Sequence, residues 1–520
     1  MSFDLDAGST TALARRAAPT AVGAHRWPAW VVPGTPALLA LGLGLWGLSR
    51  QGAIWRDEAA TWEAAQRSIP AIGHLTDHVD IVHGLYYLLM HVVFEVFGAS
   101  PAALRLPSVL GVVVAASATA ATGRRLAGPM GGLAAGLVVA LLPVMQRYAQ
   151  EGRSFGLVTA GVAVATWLLV GAVGAAGPVP STGGRGRRAT WGRRWTGYAA
   201  VMLVTGLLNW LSLLALAAHG VIVAHAWRAG ERSSAKRWLA AGIVTVAGTL
   251  PLVLASRPQA DQVAWIEPAS AVTLLGVTAM LVIALVCARV PHPGGTTLSP
   301  ASVGLPLLAV PQLGLLLASF LVEPLYVDRY VLFAYLGVAL LVGPAVAWTV
   351  QAALAYCRGR GWTRVRGEAL LAGVVAIVFV ALLPLELGLR SPTSRTDDVR
   401  VTARAVAALA RPGDGLVFLP DQRRDAALVT PAAFRGLDDL ALGQDPVASG
   451  TLYGVEAAPG RIRAAMLAHR RIVVVSDIVS SPAPSTPRDL VKRAVLRSHF
   501  TRSAGTGTGG RRVTVYERTR

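Results

Sequence analysis

The chain has 520 residues, of which 53% are apolar and only 15% are charged, and its mean hydropathy is +0.52. Soluble globular proteins carry about 25% charged residues, so this composition excludes a disordered chain, disfavours a soluble domain and is typical of a polytopic membrane protein. The formal charge is +20, and Lys236 and Lys492 are the only lysines among the 48 basic residues. We attribute this charge to loops that face a cytoplasm and predict no nucleic-acid partner.

Apolar segments of about 17–25 residues predict membrane-spanning helices. The first lies at 30–48 and follows a polar tail at 1–29. The segment 197–227 is long enough for two short spans if the chain breaks near Asn209. The other predicted spans are 104–122, 129–145, 155–176, 238–256, 271–288, 303–322, 330–350 and 368–389. The sequence therefore predicts a mainly α, polytopic helix bundle of about eleven spans.

The loop charges predict the orientation of this bundle. Arginine-rich segments occur at 15–26, 124–125, 185–194, 228–237 and 358–366. With 197–227 split into two spans, all five fall on one side, which the positive-inside rule makes cytoplasmic. We therefore predict a plasma-membrane protein with a cytoplasmic tail at 1–29 and an extracytoplasmic segment after 390. For the Gly- and Arg-rich stretch 182–194 we predict a disordered cytoplasmic loop.

The first external loop, at 49–103, is long, and loops of that length are usually functional. Within it, the stretch 84–98 is apolar but too short for a span, so we predict a helix lying in the outer membrane interface. Its aromatic residues could contact lipid or sugar, but the aromatic-belt tendency favours interface anchors; they are Tyr86, Tyr87, Phe94 and Phe97.

The composition changes after residue 390, where helix-like and strand-like patterns alternate. We predict a small α/β domain at 391–520 on the outer face, beside a transmembrane domain at 30–390. The turn at 412–415 precedes a strand, and 503–510 reads as a flexible Gly/Thr linker before the last strand.

Acidic residues are rare in the membrane half, and most of them gather in three external segments. The loop 49–103 holds several acids and histidines, and the runs 147–153 and 323–330 each combine an arginine with a carboxylate. Charged groups at a bilayer edge are costly unless they are paired, hydrated or functional. A carboxylate can accept the proton of an attacking hydroxyl, and arginine can hold a phosphate. These parts would suffice for sugar transfer from a lipid-phosphate donor.

Five short motifs carry a family resemblance. WRDEAAT (55–61) follows the first span, DIVHGLYYLL (80–89) and LRLPSVL (104–110) come next, and YAQEGRSF (148–155) and EPLYVDRYVLFAYLG (323–337) complete the order. Together they resemble the GT-C membrane glycosyltransferases of the family-39-like group, which includes protein O-mannosyltransferases and bacterial lipid A aminoarabinose transferases. The resemblance covers residues 30–390 and implies an inverting transfer of a sugar, mannose or a pentose, from a polyprenyl phosphate to an acceptor hydroxyl.

The resemblance also implies roles for individual residues. Asp57 corresponds to the catalytic base, and its neighbour Glu58 shapes the catalytic site. The candidate donor- or substrate-binding residues are Asp80, His83, Tyr86, Arg105, Tyr148, Glu151, Arg153, Asp328 and Arg329. Arg105 could bind phosphate or merely snorkel at a span end. Gly84 stands where the family has proline.

The implied partners are a polyprenyl-phosphate-linked sugar, membrane lipid and a cell-envelope glycan, lipid or protein acceptor. No cofactor is required, although a divalent cation could bind the cluster His74, Asp77, His78, Asp80 and His83. A hydrated interfacial loop is the simpler interpretation of that cluster. Two other functions remain open: a lipid or solute transporter or flippase, and a membrane scaffold with an extracytoplasmic binding domain.

Overall fold

The structure is a computed structural model that describes residues 28–174, 184–259, 265–291, 297–362, 364–478 and 486–519. The expected cytoplasmic tail, 1–29, therefore lies almost wholly outside the described residues. The helices of the membrane part are α1 (Val31–Leu45), α2 (Arg56–Ala65), α3 (Ile69–His78), α4 (Gly84–Phe97), α5 (Pro101–Leu141), α6 (Pro143–Ala149), α7 (Phe155–Val173), α8 (Gly184–Leu208), α9 (Leu213–Arg228), α10 (Ser233–Ser256), α11 (Ala271–Ala288), α12 (Pro300–Leu321), α13 (Tyr335–Gly359) and α14 (Gly367–Leu389).

The polytopic helix bundle expected from the sequence is confirmed. Among the described residues, eight helices are long and apolar enough to cross a membrane: α5, α7 and α9 to α14. The eight are fewer than the eleven predicted spans, yet each predicted span overlaps a helix of the described residues. The difference arises because α1 is short, the first half of α8 carries arginines, and α5 contains two predicted spans.

Helix α5 is a hairpin rather than one straight rod. Helical geometry stops at Ala127 and Gly128, where Gly128 has a φ of 77°. The two arms then pack so closely that a Cβ on Gly132 would lie 2.4 Å from the backbone nitrogen of Arg124. Small residues allow such backbone approach between helices in a membrane. The two arms account for the predicted spans 104–122 and 129–145.

Three local expectations have clear outcomes. The break near Asn209 is confirmed, since its side chain accepts a hydrogen bond from Leu211 N at 3.0 Å between α8 and α9. The expected disordered loop 182–194 is wrong from Gly184 onward, because α8 begins there. The expected flexible linker 503–510 is wrong as well, because a strand occupies Phe500–Thr508 and pairs along its length with the final strand.

The helix predicted for 84–98 is present as α4, but its aromatic residues are not all interface anchors. Tyr86, Tyr87 and Phe94 are buried against the neighbouring helices, whereas Phe97 is exposed. The prediction failed for the three buried rings because α4 packs one face onto α2 and α5. Its opposite, exposed face also carries Glu95 but is otherwise apolar, as a helix in a membrane interface requires: Leu88, Leu89, Val92 and Val96.

The C-terminal part forms the expected small α/β domain. Its strands are β1 (Gly415–Leu419), β2 (Asp438–Asp439), β3 (Leu442–Gln444), β4 (Val455–Glu456), β5 (Arg471–Asp477), β6 (Phe500–Thr508) and β7 (Arg511–Arg518), and its helices are α15 (Val399–Leu409), α16 (Asp425–Val429), α17 (Pro459–Ala468) and α18 (Pro487–His499). The main sheet has the order β2-β1-β5-β7-β6. Strand β1 is parallel to β2 and β5, whereas β7 is antiparallel to β5 and β6. Helices from both faces cover its apolar centre.

The C-terminal domain sits on the end of the bundle that carries the first loop. Arg390, just after α14, donates from Nε to Trp46 O at 2.9 Å and from Nη2 to Leu43 O at 2.7 Å. Val399 N donates to Ile54 O at 2.9 Å. These contacts anchor the domain to the end of α1 and the start of α2.

Candidate functional site

The three external segments singled out in the sequence meet in space. Arg329 Nη1 lies 3.2 Å from Asp57 Oδ2, so the late loop reaches the start of α2. The Tyr148 hydroxyl donates to Asp328 Oδ1 at 2.9 Å, and Thr61 Oγ1 donates to Gly152 O at 2.9 Å. Residues separated by up to about 270 positions therefore form one polar cluster beneath the C-terminal domain, which we call the rim.

Asp57 is a partly accessible carboxylate of this rim, and Asp328 is exposed. It lies in the first turn of α2, where the helix dipole favours a negative charge, and its side chain remains 20% exposed. Arg329 is held against it by aromatic rings, with its guanidinium carbon 5.3 Å from the Trp265 ring and 5.8 Å from the Phe155 ring. The other oxygen, Oδ1, lies 4.0 Å from Nε of Arg56, so Asp57 is partly open and has a cation near each oxygen.

Glu58 has a very different environment. Arg105 donates to both of its oxygens at 2.6 and 2.7 Å, Arg50 donates to both at 3.0 Å, and Gly152 N donates at 3.1 Å. Burial raises the pKa of this carboxyl, but the charges of Arg105 and Arg50 outweigh burial and lower it to about 2. Glu58 is therefore ionised and fully buried, and both of its oxygens already accept hydrogen bonds.

Arg105 belongs to this buried cluster and not to the rim. Its remaining donors bind Leu48 O at 2.7 Å and Ala53 O at 2.5 Å, and the side chain is 0% exposed. It neither snorkels nor faces a phosphate, because all three guanidinium nitrogens are engaged. Arg50 was missed in the sequence; eight residues before Glu58, it reads as an ordinary arginine at the end of a span.

A second group of polar residues lies beside Asp57. The Tyr87 hydroxyl donates to Asp80 Oδ2 at 2.7 Å, and Arg153 Nη1 donates to that hydroxyl at 3.4 Å. Arg153 is buried, and within the described part of the chain no carboxylate is close enough to form an ion pair with it. Burial and the charge of Arg153 lower the pKa of His83 to about 4, so this histidine is neutral at pH 7.

Two predicted site residues are buried behind the rim. Tyr86 is 0% exposed, and burial raises the pKa of its hydroxyl. Glu151 is 1% exposed, with Arg395 Nε 3.7 Å from its Oε2. Burial raises the pKa of Glu151 to about 7, although Arg395 opposes this effect.

The possible metal cluster is not assembled. The His74 and His78 rings are in edge contact, with centroids 4.7 Å apart. Among the described residues, no group of three or more histidine, cysteine or acidic side chains is arranged to hold an ion.

Comparison with known proteins bears on the fold. Neither protein-family models nor curated proteins gave a match to the chain. Among solved structures, ArnT from Cupriavidus metallidurans in the apo state is similar, with a TM-score of 0.59 and 15% identity over 94% of this chain and 97% of that one. The same protein bound to undecaprenyl phosphate gives a TM-score of 0.57 and 14% identity over 94% and 98% of the two chains. The expectation from the sequence motifs is confirmed at the level of the fold: the chain has the fold of the GT-C membrane glycosyltransferases.

Proposed function

We propose that the chain is a GT-C glycosyltransferase that moves a sugar from a polyprenyl-phosphate donor to a hydroxyl of a cell-envelope acceptor. The observation that carries this proposal is the partly open Asp57 carboxylate beside Arg329 at the end of the bundle that carries the first loop. A base and an anion-binding cation side by side in the rim match the two charges that develop during such a transfer.

In the proposed step, Asp57 acts as the base and the arginines bind the leaving phosphate. An Asp57 oxygen accepts the proton of the acceptor hydroxyl as that oxygen attacks the anomeric carbon from the face opposite the phosphate. The bond between the anomeric carbon and the phosphate oxygen breaks, its electron pair stays on the lipid phosphate, and the configuration inverts. Arg329 and Arg153 stabilise the departing phosphate, since guanidinium groups match phosphate geometry.

Glu58 and Arg105 act indirectly in this proposal. Because Glu58 is saturated by Arg50, Arg105 and the Gly152 amide, it holds the start of α2 against α5 instead of reacting. Asp80 and Tyr87 form the wall on the Arg153 side, where an acceptor or donor hydroxyl could bind.

The lipid part of the donor is supported by the fold. ArnT, which has the same architecture, has been solved with undecaprenyl phosphate bound. We infer that a polyprenyl phosphate reaches this rim from the bilayer, carrying mannose or a pentose. The C-terminal domain and the rim then face outward from the plasma membrane, because the arginine-rich helix ends lie at the opposite end of the bundle.

The test is sugar transfer by the purified full chain in lipid nanodiscs, with radiolabelled polyprenyl-phosphate sugars and envelope fractions as acceptors. Asp57→Asn should lower the rate by about 10²–10⁴-fold, the usual contribution of a general base. Glu95→Gln removes an exposed acid of α4 and should leave the rate unchanged. Near-normal transfer by Asp57→Asn would disprove the base assignment. Lipid translocation without a new glycosidic bond would favour a flippase instead.

A further inference from the structure

Helix α2, which carries Asp57, does not cap its own N-terminus. Trp55 occupies the N-cap position, and its side chain makes no capping hydrogen bond. The first amides of a helix have no partner within the helix, so another part of the chain must satisfy them. Arg56 N donates to Asp397 Oδ1 at 3.1 Å, from a residue 341 positions further along the chain.

Neighbouring hydrogen bonds connect the same two segments of the chain. Val399 N donates to Ile54 O at 2.9 Å, and Ile54 N donates to Asp398 Oδ1 at 3.4 Å. On the other side, Asp398 N donates to Gly509 O at 3.0 Å. The segment 397–399 therefore lies between the start of α2 and the turn that joins β6 to β7.

The second oxygen of Asp397 faces the C-terminal domain. Arg511 Nη2 donates to Asp397 Oδ2 at 3.0 Å and to Asp425 Oδ2 at 2.6 Å. Arg511 is the first residue of β7 and is only 1% exposed, so its charge requires these two carboxylates. Asp397 thus connects the sheet of the C-terminal domain to the first amide of α2.

We propose that Asp397 is a positioning residue for Asp57, and that the folded C-terminal domain sets the orientation of the base through it. The contact holds Arg56 N, and Asp57 is the next residue. A displacement of the base by about 1 Å can cost on the order of 10²-fold in rate. The inference rests on the proposed function for its kinetic part, whereas the capping contact itself can be measured without any activity.

The test compares Asp397→Ala with Asp397→Asn in the full chain. Hydrogen–deuterium exchange of a peptide covering 53–58 should speed up in Asp397→Ala, because the Arg56 amide loses its acceptor. The turnover number should fall about tenfold while the KM for the polyprenyl-phosphate donor changes less than about twofold, the pattern of a misplaced base. Asp397→Asn retains a side-chain oxygen for the amide and should restore both the protection and most of the rate.

Asp414→Ala is the matched control. Asp414 also accepts a backbone amide, from Arg411 N at 2.7 Å, and also pairs with a domain arginine, Arg471, but it does not touch α2. It should destabilise the C-terminal domain without changing exchange at 53–58 or the turnover number. Unchanged exchange at 53–58 in Asp397→Ala, or equal effects of the two alanine variants, would overturn the inference. A difference in exchange with no transfer by any variant, wild type included, would instead overturn the proposed function.

Discussion

Asp57 and Glu58 are adjacent in the chain, yet their side chains lie in different environments. Neighbouring residues of a helix project about 100° apart, so Asp57 can be partly exposed while Glu58 faces the protein interior. Asp57 keeps solvent access beside Arg329 and Arg56, whereas Glu58 is enclosed by Arg50 and Arg105. The chemical difference between two acidic residues thus comes from the helix face that each occupies.

Glu58→Gln should destabilise the protein strongly. The substitution leaves Arg50 and Arg105 buried without their counter-charge, and breaking a buried ion pair costs roughly 3–5 kcal/mol. Thermal unfolding in detergent measures the loss. In the double variant Glu58→Gln/Arg105→Met the cost should be smaller than the sum of the two single costs, because the two side chains interact directly. Additive costs would mean that the cluster is not a coupled unit.

Glu151→Gln should change the pH dependence of stability. Burial raises the pKa of Glu151 from its ordinary value of 4.5 to about 7, against the opposing charge of Arg395. The stabilisation of the folded state that comes from protonating Glu151 is therefore fully present below about pH 4.5. It is lost as the pH rises through about 7. Relative to wild type, the variant should gain stability across this window, by at most about 3 kcal/mol.

Unfolding scans between pH 4.5 and 8 for the wild type and the variant test this expectation. Other charged groups act on Glu151 from several elements: Arg395, Asp57, Arg329 and Glu58. Glu63 shares the same window, because burial also raises its pKa to about 7, so the comparison must be made between chains that differ only at residue 151. A constant stability difference over this pH range would show that Glu151 keeps an ordinary pKa.

At the scale of single elements, the hairpin α5 determines which face of the bundle meets the first loop. Its first arm carries Arg105 and Ser108, and the Ser108 hydroxyl donates to Glu151 O at 2.6 Å and to Arg153 O at 2.8 Å. The arm thereby fixes the turn from which Glu151 and Arg153 extend. The second arm packs back on the first through small residues.

Gly132→Ala should destabilise the protein by about 1–3 kcal/mol, the usual cost of overpacking. Its new methyl group would meet the backbone of Arg124 at 2.4 Å and the carbonyl oxygen of Ala120 at 2.5 Å, and a backbone cannot easily move aside. Gly276→Ala in α11 is the control, because no atom lies within 4 Å of the added carbon. Equal thermal stability of the two variants would show that the arms are not in close contact.

Across the whole molecule, the acidic rim and the basic segments lie at opposite ends. Helices α7, α9, α11 and α13 run away from the site, and α8, α10, α12 and α14 return to it. The arginines of the α5 turn, of the start of α8 and of the α9–α10 and α13–α14 loops are therefore at the far end. At that end Arg124 Nη1 donates to Ala29 O at 3.0 Å.

Labelling of single cysteines in intact cells should reveal the orientation of the protein in the membrane. In a background with Cys287→Ser and Cys357→Ser, Ala448→Cys places a thiol on an exposed loop of the C-terminal domain, and Ala229→Cys places one between α9 and α10. A membrane-impermeant maleimide should label the first without permeabilisation and the second only after it. The reverse pattern would place the rim in the cytoplasm and exclude an outer-leaflet donor.

Several features could be read from the sequence because they depend on local composition. Apolar runs predicted the membrane helices, and a succession of helix-like and strand-like patterns after residue 390 predicted the α/β domain that contains β1 and β5. The break at Asn209 followed from the length of one apolar segment. Local composition misjudged 503–510, since glycine and threonine there pair with β7 and form a strand only through that partner. It also misjudged Tyr86 and Tyr87, whose burial depends on where α4 docks.

By itself, the sequence determined a helical membrane protein with its charges divided between two sides, because apolar length and arginine distribution act on each segment separately. It also placed Asp57, Arg153 and Arg329 in loops of the same side. Only the tertiary structure decided that Arg105 serves Glu58 rather than a phosphate, that Arg50 completes this cluster, and that Asp397 caps the helix of Asp57. These pairings join residues up to 341 positions apart, and a distance between two such side chains exists only once the whole chain has packed.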